Sequence, residues 1–215
     1  MNPRIPVCLL LLAAGARSEI IDRIAVSVGN QVITASDLDR EIRVTAFLNG
    51  ANPDFTPTGK RRTADRMVEQ RLVRRELEMS RYPTPAPSDV DPVLRKFQEE
   101  RYPKPGDYET ALARYGITDS QVRDEILWQL TFLRFVQVRF RAGIQVGDEE
   151  AREYFEKNVK PAAERDYPGQ AVSFDEYRDS IEDTLAQQQV DRALNAWLQE
   201  AKRVGVEYRA EVFQP

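Results

Sequence analysis

Two adjacent acid pairs, Asp148-Glu149 and Asp175-Glu176, are the residues of this chain whose types and spacing could serve acid–base chemistry. Each pair stands at the start of a helix-forming segment, where capping and the positive end of the helix dipole account for carboxylates without any reaction. Composition closes off other catalytic arrangements. The sequence contains no histidine, and its one cysteine is Cys8. A histidine general base, Ser-His and Cys-His pairs and the common His-containing zinc sites are thereby excluded. The chain is expected to be no enzyme, with no catalytic residue, no metal and no cofactor. A net charge of −4 gives no electrostatic case for a nucleic-acid partner, which wants a basic surplus.

The 215 residues, 41% hydrophobic and 31% charged, suit one helix-rich domain with a real core. Residues 1–16 read as a secretory signal peptide. Arg4 supplies the positive start, residues 7–14 the apolar stretch, and Ala14-Gly15-Ala16 the small-x-small cleavage site. That apolar run is too short to span a bilayer and no later segment comes close, so stable membrane insertion is not expected. Cleavage after Ala16 leaves residues 17–215 as one domain without a cysteine, suited to the oxidising periplasm because nothing in it can be oxidised to a disulfide.

The periodicity predicts a mainly helical fold of the α+β class. Ile24, Val26 and Val28 alternate along a strand, Gly29-Asn30 supplies a turn, and Val32-Ile33-Thr34 returns. Ser36 is placed to cap the first helix, which Asn49-Gly50 ends. A helix over about 60–81 has Met67, Leu72 and Leu77 as its apolar face, with Val68 and Val73 beside it. Its basic side, with Arg61, Arg62, Arg66, Arg71, Arg74 and Arg75, reads as a solvated face paired with Glu69, Glu76 and Glu78. Further helices are expected over 89–101, with Ser88 as cap, over 107–115, and from Thr118, which forms a capping box with Gln121, to about 141. A short acid-headed helix reaches Asn158, residues 159–172 form a polar link, and Ser173 with Glu176 caps a long helix to about 203. Across Gln187-Gln188-Gln189 that helix changes its apolar face, so its halves should pack on different neighbours. Alternation over 206–213 predicts a last strand. A lone hairpin and a lone strand are marginal, so they are expected to join in one small antiparallel sheet.

The helix over 118–141 is apolar on two sides. Val122, Ile126, Leu130, Leu133 and Phe140 form one stripe; Trp128, Phe132, Phe135 and Val138 form a second. Such a helix is buried between two layers or offers one side to something outside, a client or a second copy in a homodimer.

The segment IDRIAVSVGNQVITASDL at 21–38 resembles the start of the mature SurA-like periplasmic chaperones. MVEQRLV at 67–73 looks like that family's second helix, and residues 116–140 are similar to its long central helix. VGDEEAREYFEKN at 146–158 resembles the helix preceding the inserted parvulin prolyl isomerase module, and the segment from SFDE at 173–176 to Trp197-Leu198 resembles the helix returning after it. The resemblance implies an ATP-independent chaperone in the periplasm, with a hydrophobic cradle that holds unfolded secreted or outer-membrane proteins. Trp128, Phe132 and Phe135, with Tyr102 and Tyr115 at nearby helix ends, are the candidate client-binding residues. The chain departs from the family at its catalytic part. Residues 159–172 are far short of the roughly one hundred that a module of that kind needs, and its histidine pair has no counterpart here. No prolyl isomerase activity is expected. The alternative reading is a dedicated periplasmic adaptor that uses the same fold to bind one protein, since a fold does not transfer function without its site.

Overall fold

The structure, a computed structural model, describes residues 22–214; the segment read as a signal peptide lies outside the described residues. Strands β1 (Ile24–Val28) and β2 (Gln31–Thr34) form the expected antiparallel hairpin. Gly29 in its turn has φ of +58°, and a Cβ there would stand 2.7 Å from the Val204 side chain, so the turn requires glycine twice over. β3 (Val206–Tyr208) pairs antiparallel with the other side of β1, pairing Val26 with Tyr208 and Val28 with Val206. The sheet order β2-β1-β3 brings the two ends of the described chain together, as the marginal stability of isolated strands demands. The last strand is shorter than its alternation predicts. A tight turn at Ala210–Val212 wraps the chain over the sheet and buries Val212.

α1 (Ala35–Asn49) begins two residues earlier than a Ser36 cap implies. Thr34 is the cap, exchanging hydrogen bonds with Asp37, while the Ser36 hydroxyl donates instead to Asp22. α2 (Pro57–Met79) also starts early, because Pro57 is preset for a first helical turn and Thr56 accepts from the Gly59 N–H at 3.1 Å. Its arginines find different acids from those expected. Arg61 pairs with Asp65, Arg62 with Asp54 and Arg66 with Glu41. Glu69 pairs with Lys202, and Glu76 with Arg139.

Before α3 (Val90–Arg101) the chain makes a tight turn at Pro87–Asp89. The Ala86 N–H donates there to Asp89, so Ser88 is not the cap. α4 (Asp107–Tyr115) follows. α5 (Asp119–Arg139) carries the expected box, with Thr118 and Gln121 hydrogen-bonded reciprocally at 2.9 and 3.3 Å. α6 (Asp148–Tyr154) runs through a wide π turn at Phe155–Val159 into α7 (Lys160–Asp166), so most of the expected polar link is helical. Ion pairs between Glu153 and Lys157 and between Glu156 and Lys160 lie along that extension. α8 (Phe174–Ala201) starts at Ser173, but no side-chain bond forms there, so the expected box with Glu176 is absent.

Among the described residues, the buried apolar side chains gather in four clusters. The sheet packs on α1, α2 and α8 through Val26, Ile33, Leu38, Val68, Leu72 and Leu198. α1, α3, α4 and α5 close around Phe47, with Leu94, Val122 and Ile126. α6, the π turn and the first half of α8 share Ala151, Phe155, Ile181 and Leu185. Val73, Trp128 and Phe135 form the fourth with Phe140 and Trp197. The two halves of α8 therefore do serve different neighbours, Ile181 and Leu185 in one cluster and Trp197 and Leu198 in others. Among the described residues, no helix is long and apolar enough to cross a membrane.

Candidate functional site

α5 is positioned by its first half. Val122 and Ile126 are buried against α1, α3 and α4, which anchors the helix and directs its second half between α2 and α8. The cluster that covers the first stripe reaches Leu130 and stops, so Leu133, on the same stripe, is left 61% exposed. Phe140, assigned by spacing to that stripe, joins the aromatic cluster instead, 5.7 Å from Phe135 between ring centres.

The five residues expected to face a client have separate fates. Trp128 is 6% exposed, with the Arg74 guanidinium 4.2 Å from its ring centre and Phe132 6.1 Å away. Phe132 is half-buried at the edge of that cluster. Phe135 is 1% exposed, enclosed by Tyr82, Phe140 and Trp197, and in this conformation it is core rather than client surface. Tyr102 and Tyr115 belong to the cluster around Phe47: Tyr102 stacks on that ring at 5.6 Å, and the buried Tyr115 donates its hydroxyl to the Ala51 carbonyl at 2.8 Å. Both tyrosines thus pack in the cluster around Phe47 and do not line the same surface as Phe132.

What the structure does assemble is a groove of about 540 Å³ between α2, α5 and α8. Trp128, Phe132 and Leu133 contribute from α5, and Leu194 and Leu198 from α8; Arg66, Glu69, Gln70 and Gln129 give it a polar rim. Leu133, which spacing places on the first stripe of α5, and Leu194 and Leu198 on α8 were not among the residues expected to face a client. Their signal was that the apolar positions of α5 and of the second half of α8 exceed what one core can cover.

A polar cleft of about 310 Å³ adjoins the groove, lined by Arg40, Glu41, Arg71, Arg74, Asp124 and Glu125. Glu125 lines both cavities. Burial, and next the charge of nearby Glu41, push its carboxyl up to about 7; the Gln129 hydrogen bond and the Arg66 and Arg74 charges oppose that shift. The two acid pairs are elsewhere, and the aspartate of each is tied into ion pairs at the surface. Asp148 meets Arg152 at 2.8 Å and Arg178 at 2.9 Å, and Asp175 meets Arg178 at 3.6 Å. The Arg152 hydrogen bond, with the charges of Arg152 and Arg178, holds Asp148 below the usual carboxylate range.

No protein-family model and no solved structure matches the chain. Among curated proteins it is 27% identical over 153 residues to the Chaperone SurA of Alkalilimnicola ehrlichii (strain ATCC BAA-1101 / DSM 17681 / MLHE-1), a match covering 68% of this chain and 35% of that protein. The chain thus spans about a third of the length of the relative it matches. The likeness is distant, and it is to a chaperone of the SurA type.

Proposed function

We propose that this chain is an exported, ATP-independent chaperone that holds unfolded secreted or outer-membrane polypeptides in the groove between α2, α5 and α8. The observation that carries this reading is the groove itself: exposed Leu133 stands beside Phe132, Trp128, Leu194 and Leu198, inside a polar rim. An open apolar surface with few fixed polar partners accepts many sequences. Holding needs no catalytic group, since burying each large client side chain is worth roughly 1.5–3 kcal/mol. A few such contacts give weak, reversible capture. The likeness to a chaperone named SurA supports the same reading, and the apolar N-terminal segment supports export to the periplasm.

The proposed activity excludes prolyl isomerisation. The sequence has no histidine, and α7 and α8 are joined by residues 167–173, against the roughly one hundred that an inserted catalytic module needs. Isomerisation of a prolyl peptide clearly above the buffer rate, and lost on unfolding the protein, would sink this part.

The purified protein is expected to suppress aggregation of several unrelated unfolded clients. Leu133→Asp should weaken that suppression severalfold while leaving the thermal midpoint nearly unchanged, because Leu133 is already exposed. Suppression of no client, together with one stable partner in a pull-down, would replace holding with the adaptor role. Recovery of the protein in the cytoplasmic rather than the periplasmic fraction would overturn export.

A further inference from the structure

Glu125 stands where the apolar groove and the polar cleft meet, one turn before Trp128 on α5. The charged groups around it come from three helices: Arg40 and Glu41 from α1, Arg66, Glu69, Arg71 and Arg74 from α2, and Asp124 from α5 itself. α8 faces the groove with Leu194, Asn195 and Leu198, none of them charged. The nearest cations are otherwise engaged. Arg66 bridges Glu41 at 3.3 Å and donates to Thr45 at 3.0 Å, and Arg74 lies over the Trp128 ring. Among the described residues Glu125 enters no ion pair, and it accepts one side-chain hydrogen bond, from Gln129 at 3.1 Å.

We propose that Glu125 makes capture in this groove proton-linked, so that an apolar segment binds to the neutral carboxyl and its binding takes up one proton from solvent. The inference rests on the groove being the capture site. An apolar chain laid over Trp128 and Phe132 removes water from the groove side of Glu125 and brings no cation in exchange, so the covered state favours the protonated form. Burial and Glu41 have already moved the free carboxyl to about 7. Well below that pH both states carry the proton and affinity is greatest. As pH rises through about 7 the free protein releases the proton while the bound one retains it, so affinity falls until the bound carboxyl also ionises.

The test uses a capped, uncharged peptide of tryptophan, phenylalanine, leucine, serine and glycine, whose own groups do not titrate. Its affinity should fall by up to about tenfold per pH unit above neutrality. Calorimetry of the wild-type protein in two buffers of different ionisation enthalpy should register proton uptake near neutral pH. Glu125→Gln should bind at high pH as the wild type does at low pH, and Glu41→Gln, which removes the repelling charge, should move the fall to lower pH. Binding of equal strength at every pH without proton uptake, or a wild-type slope retained by Glu125→Gln, overturns the proton link and leaves the groove as a capture site. Binding by neither protein at any pH removes the capture site and the link with it.

Discussion

Single residues on one helix face have different duties here, and their energetics follow the packing around them. Phe135 is enclosed by Tyr82, Phe140 and Trp197, so Phe135→Ala should cost about 3–5 kcal/mol, read from urea unfolding. Glu125 gives a prediction of opposite sign. Its folded carboxyl lies above the ordinary value of 4.5, so its share of stability is complete below that value and is lost as pH rises through about 7. The thermal midpoint of Glu125→Gln should therefore exceed that of the wild type above neutral pH, and the two should converge in acid. Equal midpoints at every pH would mean that water reaches the carboxylate freely. The box of Thr118 with Gln121 was legible from residue type and spacing, although the same spacing at Ser173 and Glu176 forms none. The cap of α1 was not legible. Asp22 takes the Ser36 hydroxyl from fourteen positions away, and the role falls to Thr34.

Elements show the same division between local and distant causes. The boundaries of α4 and α8 and the two-sided character of α5 follow from periodicity and turn residues, which act within a few positions. The continuation of α6 into α7 was missed because Lys160-Pro161 reads as an interruption, whereas the π turn and the first turn of α7 accommodate the proline. That helical arm packs on the first half of α8 through a small cluster of its own around Phe155. Phe155→Ala should loosen the arm selectively, and amide exchange over 148–185 should rise while the amides of α1 and α2 keep their protection. A uniform rise across the chain would show that the arm and the body unfold as one unit.

At the scale of the molecule, the sheet joins the first described strand to the last, and β3 covers one edge of β1. Truncation after Val204 should expose that edge and uncover the cluster beneath Val206 and Val212. The expected result is a lower unfolding midpoint together with self-association visible by light scattering, as unpaired strand edges recruit other strands. The sequence by itself determined the mainly helical class, the hairpin with its glycine turn, the closing of the ends into one sheet and the exclusion of histidine-based chemistry. Each depends on composition, on short-range periodicity or on the instability of lone strands. Only the tertiary structure decided which aromatic residues are core and which line a groove. Trp128, Phe132 and Phe135 share one stripe by spacing, but the neighbours that cover or uncover them arrive from α2 and α8, distant in the chain. The same holds for Glu125, whose perturbed carboxyl is made by Glu41 and by burial between helices, neither of which local sequence can reveal.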